Sequence, residues 1–240
     1  MWSSPLPIHT AGPSVEIHLL GRIDFRRALA LQQRLVDEVA DRADGQIKLL
    51  FCEHPPLVTI GRSGSPAEVR YDAEPIRQRR VEVCWVKRGG GCLVHVPGQL
   101  AVYPIVPIGW YGLTPGRFLS LIGSAVEKTL DELRIPLTTH SGSVMFSGRT
   151  GGLVAAGLAI RRWVTYHGLY INVCPLPGWF RLVEPDATGH TLDGSLVAER
   201  RGRISMATVR ARLVQYLTEA LDCPRYHMHT GHPWLRDMTE

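Results

Sequence analysis

The stretch that decides the fold is Lys87–Ile105, KRGGGCLVHVPGQLAVYPI. A strand-like run ends at Lys87, and two more, Leu93–His95 and Leu100–Val106, follow the glycines. Gly89, Gly90 and Gly91 permit positive φ and close backbone approach, so N–H groups there can face an anionic or carbonyl ligand, with Arg88 adding a fixed charge. A plain glycine hairpin is the competing reading. The pattern is neither G-x-x-x-x-G-K-[ST] nor G-x-G-x-x-G opening a helix, so a nucleotide P-loop or a doubly wound dinucleotide site is not supported.

Outward from this segment, strands are predicted at Glu16–Leu20, Ile47–Glu53, Leu57–Ile60, Val81–Lys87, Val154–Ile160 and Val164–Val173. Apolar stripes at helical spacing predict helices over Asp24–Ala43, Arg117–Leu133 and Ser205–Leu221, with Asp24 and Ser205 as caps. Clusters of strands between helices, without strict alternation, imply an α+β class with a mixed, largely antiparallel sheet flanked by helices. Thr138–Gly152 is polar and rich in Gly and Ser and reads as one long loop. The third helix follows a polar stretch and is assigned to a small C-terminal part. Residues 1–14 read as a flexible N-terminus, 15–222 as the domain and 223–240 as a tail.

With 240 residues, 45% of them hydrophobic, the chain can build one packed core, which excludes disorder as the main state. A formal net charge of +5 suits an acidic protein partner but is too weak and scattered for nucleic acid. Five cysteines without a C-x-x-C argue against a disulfide framework or zinc ribbon and for a reducing cytoplasmic compartment. Met1–Pro13 lacks the pattern of a signal peptide, and prolines interrupt the longest uncharged run, Val96–Gly116, so no membrane span is expected. Cys223, His227, His229 and His232 could hold zinc, but their spacing fits no standard module; a solvated tail is the reading, and no metal or cofactor is expected. His54, His95 and His167 each read as hydrogen-bonded structural histidines or as members of a site.

Three segments together resemble the lipoate-protein ligase B family, the octanoyltransferases of lipoate synthesis. Glu53–Arg62, EHPPLVTIGR, resembles its early strand pair; Arg88–Gln99, RGGGCLVHVPGQ, its R-G-G-x-x-T-x-H-G-P-G-Q ligand loop; Val154–Val173, VAAGLAIRRWVTYHGLYINV, its I-A-A-L-G…H-G-x-A-L-N-V segment. The resemblance implies a biotin/lipoate protein ligase fold. It implies a substrate-binding surface of Arg88, Gly89, Gly90, Gly91, Cys92, Leu93, Val94, His95, Ala155, Ala156, Gly157, Gly168, Leu169 and Tyr170, supported by His54, Arg62, Gln99, His167 and Asn172. Its partners would be an octanoyl-acyl carrier protein or other acyl donor, and a lipoyl domain.

Members of this family carry the acyl group on a cysteine whose thiolate is favoured by a neighbouring lysine. Here Gly152 stands at the lysine position and Asp186 at the cysteine position, and no lysine follows Lys128. Arg149 could supply charge, but an arginine stays protonated and cannot act as a base. Leu93 and Val96 replace a polar Thr and a Gly of the ligand loop. The resemblance therefore implies an acyl-binding shell without its reactive pair: a pseudoenzyme or a binder of acyl groups or carrier proteins. The alternative is an active octanoyltransferase with a relocated thiol, Cys174 first and Cys92 second. On this reading the double replacement Gly152→Lys with Asp186→Cys is expected to give transferase activity.

Overall fold

The computed structural model describes residues 14–78, 80–139, 145–185, 191–200 and 202–236. In chain order the elements are β1 (Val15–Arg22), α1 (Phe25–Arg42), β2 (Ile47–Glu53), β3 (Leu57–Ile60), α2 (Glu74–Arg77), β4 (Glu82–Trp85), β5 (Cys92–His95), β6 (Gln99–Ile105) and α3 (Pro115–Glu132). They continue with β7 (Thr138–Thr139), β8 (Met145–Gly148), β9 (Gly151–Arg161), β10 (Val164–Asn172), α4 (Leu196–Arg200), α5 (Met206–Ala220), β11 (Tyr226–Thr230) and α6 (Pro233–Arg236). Single 3-10 turns lie at Pro66–Glu68 and Pro177–Leu182. The large sheet runs β11-β1-β2-β6-β10-β9-β8-β7, and a small sheet runs β4-β3-β5. The β11–β1 and β1–β2 pairs are parallel, and the rest of the large sheet is antiparallel. The mixed, largely antiparallel α+β class is the one the sequence implies.

Helix ends follow local chemistry. Asp24 Oδ1 accepts the Arg27 N–H at 3.0 Å, and Ser205 Oγ accepts the Thr208 N–H at 3.0 Å. The middle helix starts two residues earlier than its apolar stripe suggests, because Thr114 caps it and Pro115 fits the first turn. On one face of the large sheet, α1 buries Ala28, Leu31, Leu35 and Val39 against Leu50, Ala101, Tyr103 and Tyr170. On the other, α3 and α5 bury Phe118, Ile122, Val126, Val209, Leu213 and Leu217 against Leu49, Phe51, Val102, Leu169 and Ile171. Strand β10 is buried at every position, as a strand covered on both faces must be.

Three local expectations change. Residues Met145–Gly148 within the expected long loop form β8, because Phe146 is apolar enough to join the core and its backbone pairs with Val154. Helix α5 belongs to the main core through its contact with α3, which leaves β11 and α6 as the small C-terminal part. Residues 226–230, read as solvated tail, add a parallel edge strand to β1; their side chains are exposed, so no hydrophobic pattern announces the pairing. Among the described residues no helix is long and apolar enough to cross a membrane.

The glycine segment is not a hairpin. Strands β4 and β5 do not pair with each other; both flank β3. The connection between them is stitched to residues 61–63: Gly61 N–H donates to Gly91 O at 3.1 Å, Arg62 N–H to Arg88 O at 3.0 Å and Ser63 N–H to Gly90 O at 3.1 Å. A side chain at Gly61 would collide with the Gly90 carbonyl, so this approach requires glycine.

Candidate functional site

The glycine connection and β5 form one wall of a cleft of about 120 Å³. Arg88–Val94 supply that wall; Ala155 and Ala156 of β9 and Met145 of β8 supply the facing one. Glu68, Phe180, Val183 and Glu184 lie to one side, and Thr191 and Leu192 complete the lining. Of the residues implied from sequence, Arg88–Val94, Ala155 and Ala156 line the cleft. His95, Gly157, Gly168, Leu169 and Tyr170 are not in its lining. His95 turns to the face of β5 opposite Val94 and is fully buried, and Leu169 packs into the core beneath α3.

Arg88 is 1% exposed, and no carboxylate pairs with it among the described residues. Its guanidinium is held by neutral groups: Nε donates to Thr59 Oγ1 at 3.2 Å, Nη2 to Thr59 Oγ1 and O at 2.7 and 2.9 Å, and Nη1 to Gly89 O at 3.0 Å. The Tyr170 ring centroid lies 6.0 Å from its Cζ. Burial pulls its pKa below the ordinary guanidinium value.

From Thr59 a buried chain of hydrogen bonds crosses the domain. Gln99 Nε2 donates to Asn172 Oδ1 at 3.0 Å and Val94 O at 3.1 Å, so Gln99 Oε1 must accept from His95 Nδ1, at 3.1 Å. His95 Nε2 is then a lone pair, which accepts the Thr59 hydroxyl at 2.8 Å. At the other end, Asn172 Nδ2 donates to Leu192 O at 3.0 Å and Gly194 O at 2.9 Å. The chain thus ties the residue 191–194 segment to the base of the glycine loop. Burial, then the neighbouring His54 ring and the Arg88 guanidinium, pushes the His95 pKa well below the usual imidazole value.

His54 donates Nδ1–H to Ile23 O at 2.8 Å and accepts the Tyr103 hydroxyl at 2.6 Å. His167, at φ 56, donates its backbone N–H to Gln32 Oε1 at 2.7 Å, and neither ring nitrogen has a partner. Arg62 has an exposed side chain beside Gly89. Burial lowers the pKa of His54 to about 4; burial, then Arg88, lowers that of His167 to about 3. The unfolded chain binds protons on these rings below about pH 6.5, and the folded chain refuses them until far lower pH. Their contribution is complete above about pH 6.5 and is lost as pH falls, at about 1.4 kcal/mol per pH unit for each ring. Urea midpoints should drop clearly between pH 7 and pH 5; an unchanged midpoint contradicts the assignment.

The candidate reactive groups are placed apart. Cys92 lines the cleft and its thiol donates to Ser65 O at 3.4 Å; burial, then the neighbouring Glu68, pushes its pKa up to about 12. Alkylation of Cys92 by iodoacetamide at pH 8 should therefore run at least about a hundredfold slower than that of free cysteine, whose pKa is about 8.5; mass mapping of the alkylated protein measures it. Cys174 is exposed, follows β10 with its N–H on Gly98 O at 3.0 Å, and is outside the lining. Burial and then Glu53 raise its pKa. Among the described residues no lysine lines the cleft.

At Gly152 the N–H donates to Asp193 Oδ1 at 3.3 Å and the carbonyl accepts Gly194 N–H at 2.9 Å. A Cβ there would lie 2.1 Å from the Thr191 carbonyl oxygen. The expectation that Gly152→Lys restores a lysine must be corrected: the space in front of Gly152 is filled by backbone. Asp186 lies outside the described residues. Arg149 is already committed, with Nε on Glu199 Oε1 at 2.9 Å and Nη2 on Glu199 O at 2.7 Å.

In the C-terminal part, Cys223 is buried and donates to Leu221 O at 3.2 Å. His18 of β1, unmarked by any motif, stacks on His229 at 5.1 Å and meets His232 at 4.7 Å. Among the described residues no group of three or more His, Cys, Asp or Glu is arranged to hold a metal. Sequence reasoning also missed Thr59, Glu68 and Leu192. Thr59 had a signal, its place in the early strand pair; Leu192 lies in a polar stretch with no periodicity.

The profile of the lipoyl protein ligase A/B catalytic domain matches residues 24–218. The octanoyltransferase of Geotalea uraniireducens is 34% identical over 194 residues, 81% of this chain and 87% of that protein. The octanoyltransferase of Syntrophotalea carbinolica is 32% identical over 208 residues, 86% of this chain and 94% of that one. Among solved structures, the bipartite lipoate protein ligase of Thermoplasma acidophilum superposes with a TM-score of 0.68 at 16% identity, covering 94% of this chain and 90% of that chain. LipL1 of P. falciparum, in complex with lipoate, superposes with a TM-score of 0.70 at 15% identity, covering 91% and 66%. These two likenesses establish the fold.

Proposed function

Because the chain belongs to the lipoyl protein ligase A/B catalytic-domain family, and within it to the octanoyltransferases of lipoate metabolism, we propose that it binds a medium-chain acyl group in the cleft without passing it through a cysteine. The observation that carries this reading is the state of the cleft's own thiol. Among the described lining residues Cys92 is the one thiol, its pKa lies near 12, and no ammonium stands beside it. Its thiolate fraction at neutral pH is negligible. Leu93, Val94, Met145 and Leu192 give the acyl chain an apolar surface, and Arg88 at its base can meet an acyl carbonyl. An acyl carrier protein and a lipoyl domain are the proposed partners; both would present acidic surfaces to a chain of net charge +5.

The test is a transfer assay with the unmodified protein, an octanoyl-carrier donor and a lipoyl-domain acceptor, read by intact mass. The expected result is no octanoyl-lipoyl domain above the uncatalysed background and no octanoyl adduct on the protein. Turnover that disappears in Cys92→Ser or Cys174→Ser would establish the second reading, a relocated nucleophile. The position of Cys92 in the lining favours it over Cys174 for that role.

A further inference from the structure

The corner between β11 and α6 carries histidines that neither the cleft nor the buried polar chain uses. Gly231, at φ 76, turns the chain there. Its N–H donates to Leu19 O at 2.7 Å, and its carbonyl accepts His18 Nδ1–H at 3.1 Å. The next residue, His232, accepts the Trp234 N–H on its own Nδ1 at 3.2 Å, which fastens the first turn of α6. Neutral His18 then carries its lone pair on Nε2, which is buried without a hydrogen-bond partner, and neutral His232 carries its lone pair on Nδ1.

A proton on either ring meets resistance. On His232 it would occupy the nitrogen that accepts Trp234 N–H and break that bond. A cation is already present: the Lys48 ammonium of β2 is buried between Glu16 of β1, at 2.6 Å, and Glu38 of α1, at 3.2 Å. His18 Nε2 lies 3.6 Å from Glu16, but that carboxylate also takes Gln46 Nε2 at 2.8 Å. His229 of β11 adds a third ring against His18. Burial outweighs Gly231 O and Glu16 and holds His18 below the usual imidazole pKa. Burial, then His18 and Lys48, lowers the pKa of His232 to about 4.

The other fastenings of this segment are shallow. All five side chains of β11 are exposed, and its ladder to β1 is made by backbone. Helix α6 adds Trp234 and Leu235 against the α1 side of the core. Arg27 Nη2 of α1 donates to Leu235 O at 2.9 Å, and the Arg34 guanidinium lies 5.7 Å over the Trp234 ring.

We propose that this corner is an acid-released clasp: protonation of His232, with His18 behind it, frees β11 and α6 together from β1 and α1 while the rest of the large sheet stays folded. The released segment carries ordinary imidazoles and takes protons that the clasped one refuses. Release is therefore suppressed above about pH 6.5 and grows as pH falls below it. The clasp is outside the cleft lining and does not depend on the acyl-binding reading.

Hydrogen exchange of the full chain tests it, read by mass spectrometry at pH 7.5 and pH 5.5 and corrected for the exchange of a free chain. Protection of the amides in residues 226–236 should fall by at least about tenfold, the share of His232 alone. Amides of β10 should stay better protected than the segment at both pH values, because they open only with the whole domain. His232→Asn places an oxygen where Nδ1 stands and does not titrate. It should keep the segment protected at pH 7.5 and narrow the fall by at least about fivefold. Equal protection at the two pH values, a segment protected as strongly as β10, or a fall that His232→Asn leaves unchanged would each overturn the proposal.

Discussion

Asn172→Leu is expected to lower the melting temperature by roughly 8–16 °C, the largest effect of any single side-chain replacement in the buried polar chain. Asn172 is fully buried and satisfied on both ends: its amide holds Leu192 O and Gly194 O, and its oxygen takes the Gln99 amide. Leucine has the same branched outline and is bulkier, so no cavity forms; the loss comes mainly from groups left behind. Two carbonyls lose their donor and one amide N–H loses its acceptor, at roughly 1–3 kcal/mol each, for a total near 4 kcal/mol. For a domain of this size each kcal/mol moves the midpoint by about 2–4 °C. Differential scanning calorimetry measures it. A shift under about 3 °C would mean that water or a rearranged 191–194 segment replaces the amide.

The second large effect is expected from Gly152→Lys, alone or with Asp186→Cys. The stem of any side chain at 152 meets the Thr191 carbonyl at 2.1 Å, a contact with backbone rather than with the end of a flexible side chain. Either the 191–194 segment moves, breaking the Gly194–Gly152 and Asn172 bonds, or β9 bends away from it. The cost should reach about 3 kcal/mol or more. The expected outcome is a folded but strongly destabilised protein, with no octanoyl transfer from the double replacement. Activity in that variant with an unchanged melting temperature would show that the segment yields freely and that only the two side chains were missing.

How far the sequence could be read depended on whether a residue's role is local. Ile47–Glu53 and Leu57–Ile60 are short, mainly apolar runs, the first followed by His54-Pro55-Pro56 and the second by Gly61, and they form strands with those limits. The caps of α1 and α5 were equally plain, since a cap is a bond between neighbours. The cleft wall Arg88–Val94 was legible because three glycines and an arginine depart from ordinary strand chemistry. The facing parts were hidden. Leu192 meets the cleft only because Asn172 holds its carbonyl, a contact across 20 residues. Glu68 looks like any acid in a surface turn until burial of one oxygen sets it apart. Strand β11 escaped notice because an edge strand with every side chain in water has no apolar pattern.

The placement of β11 also bears on biosynthesis. Parallel pairing of Val15 with Tyr226 makes β1 wait for residues translated long after it. Until those residues leave the ribosome, β1 presents a raw border of unpaired amides and carbonyls, the feature through which nascent sheets stick to one another. A product terminated near residue 222 would keep that border permanently, and should fail by clumping rather than by loss of its cleft.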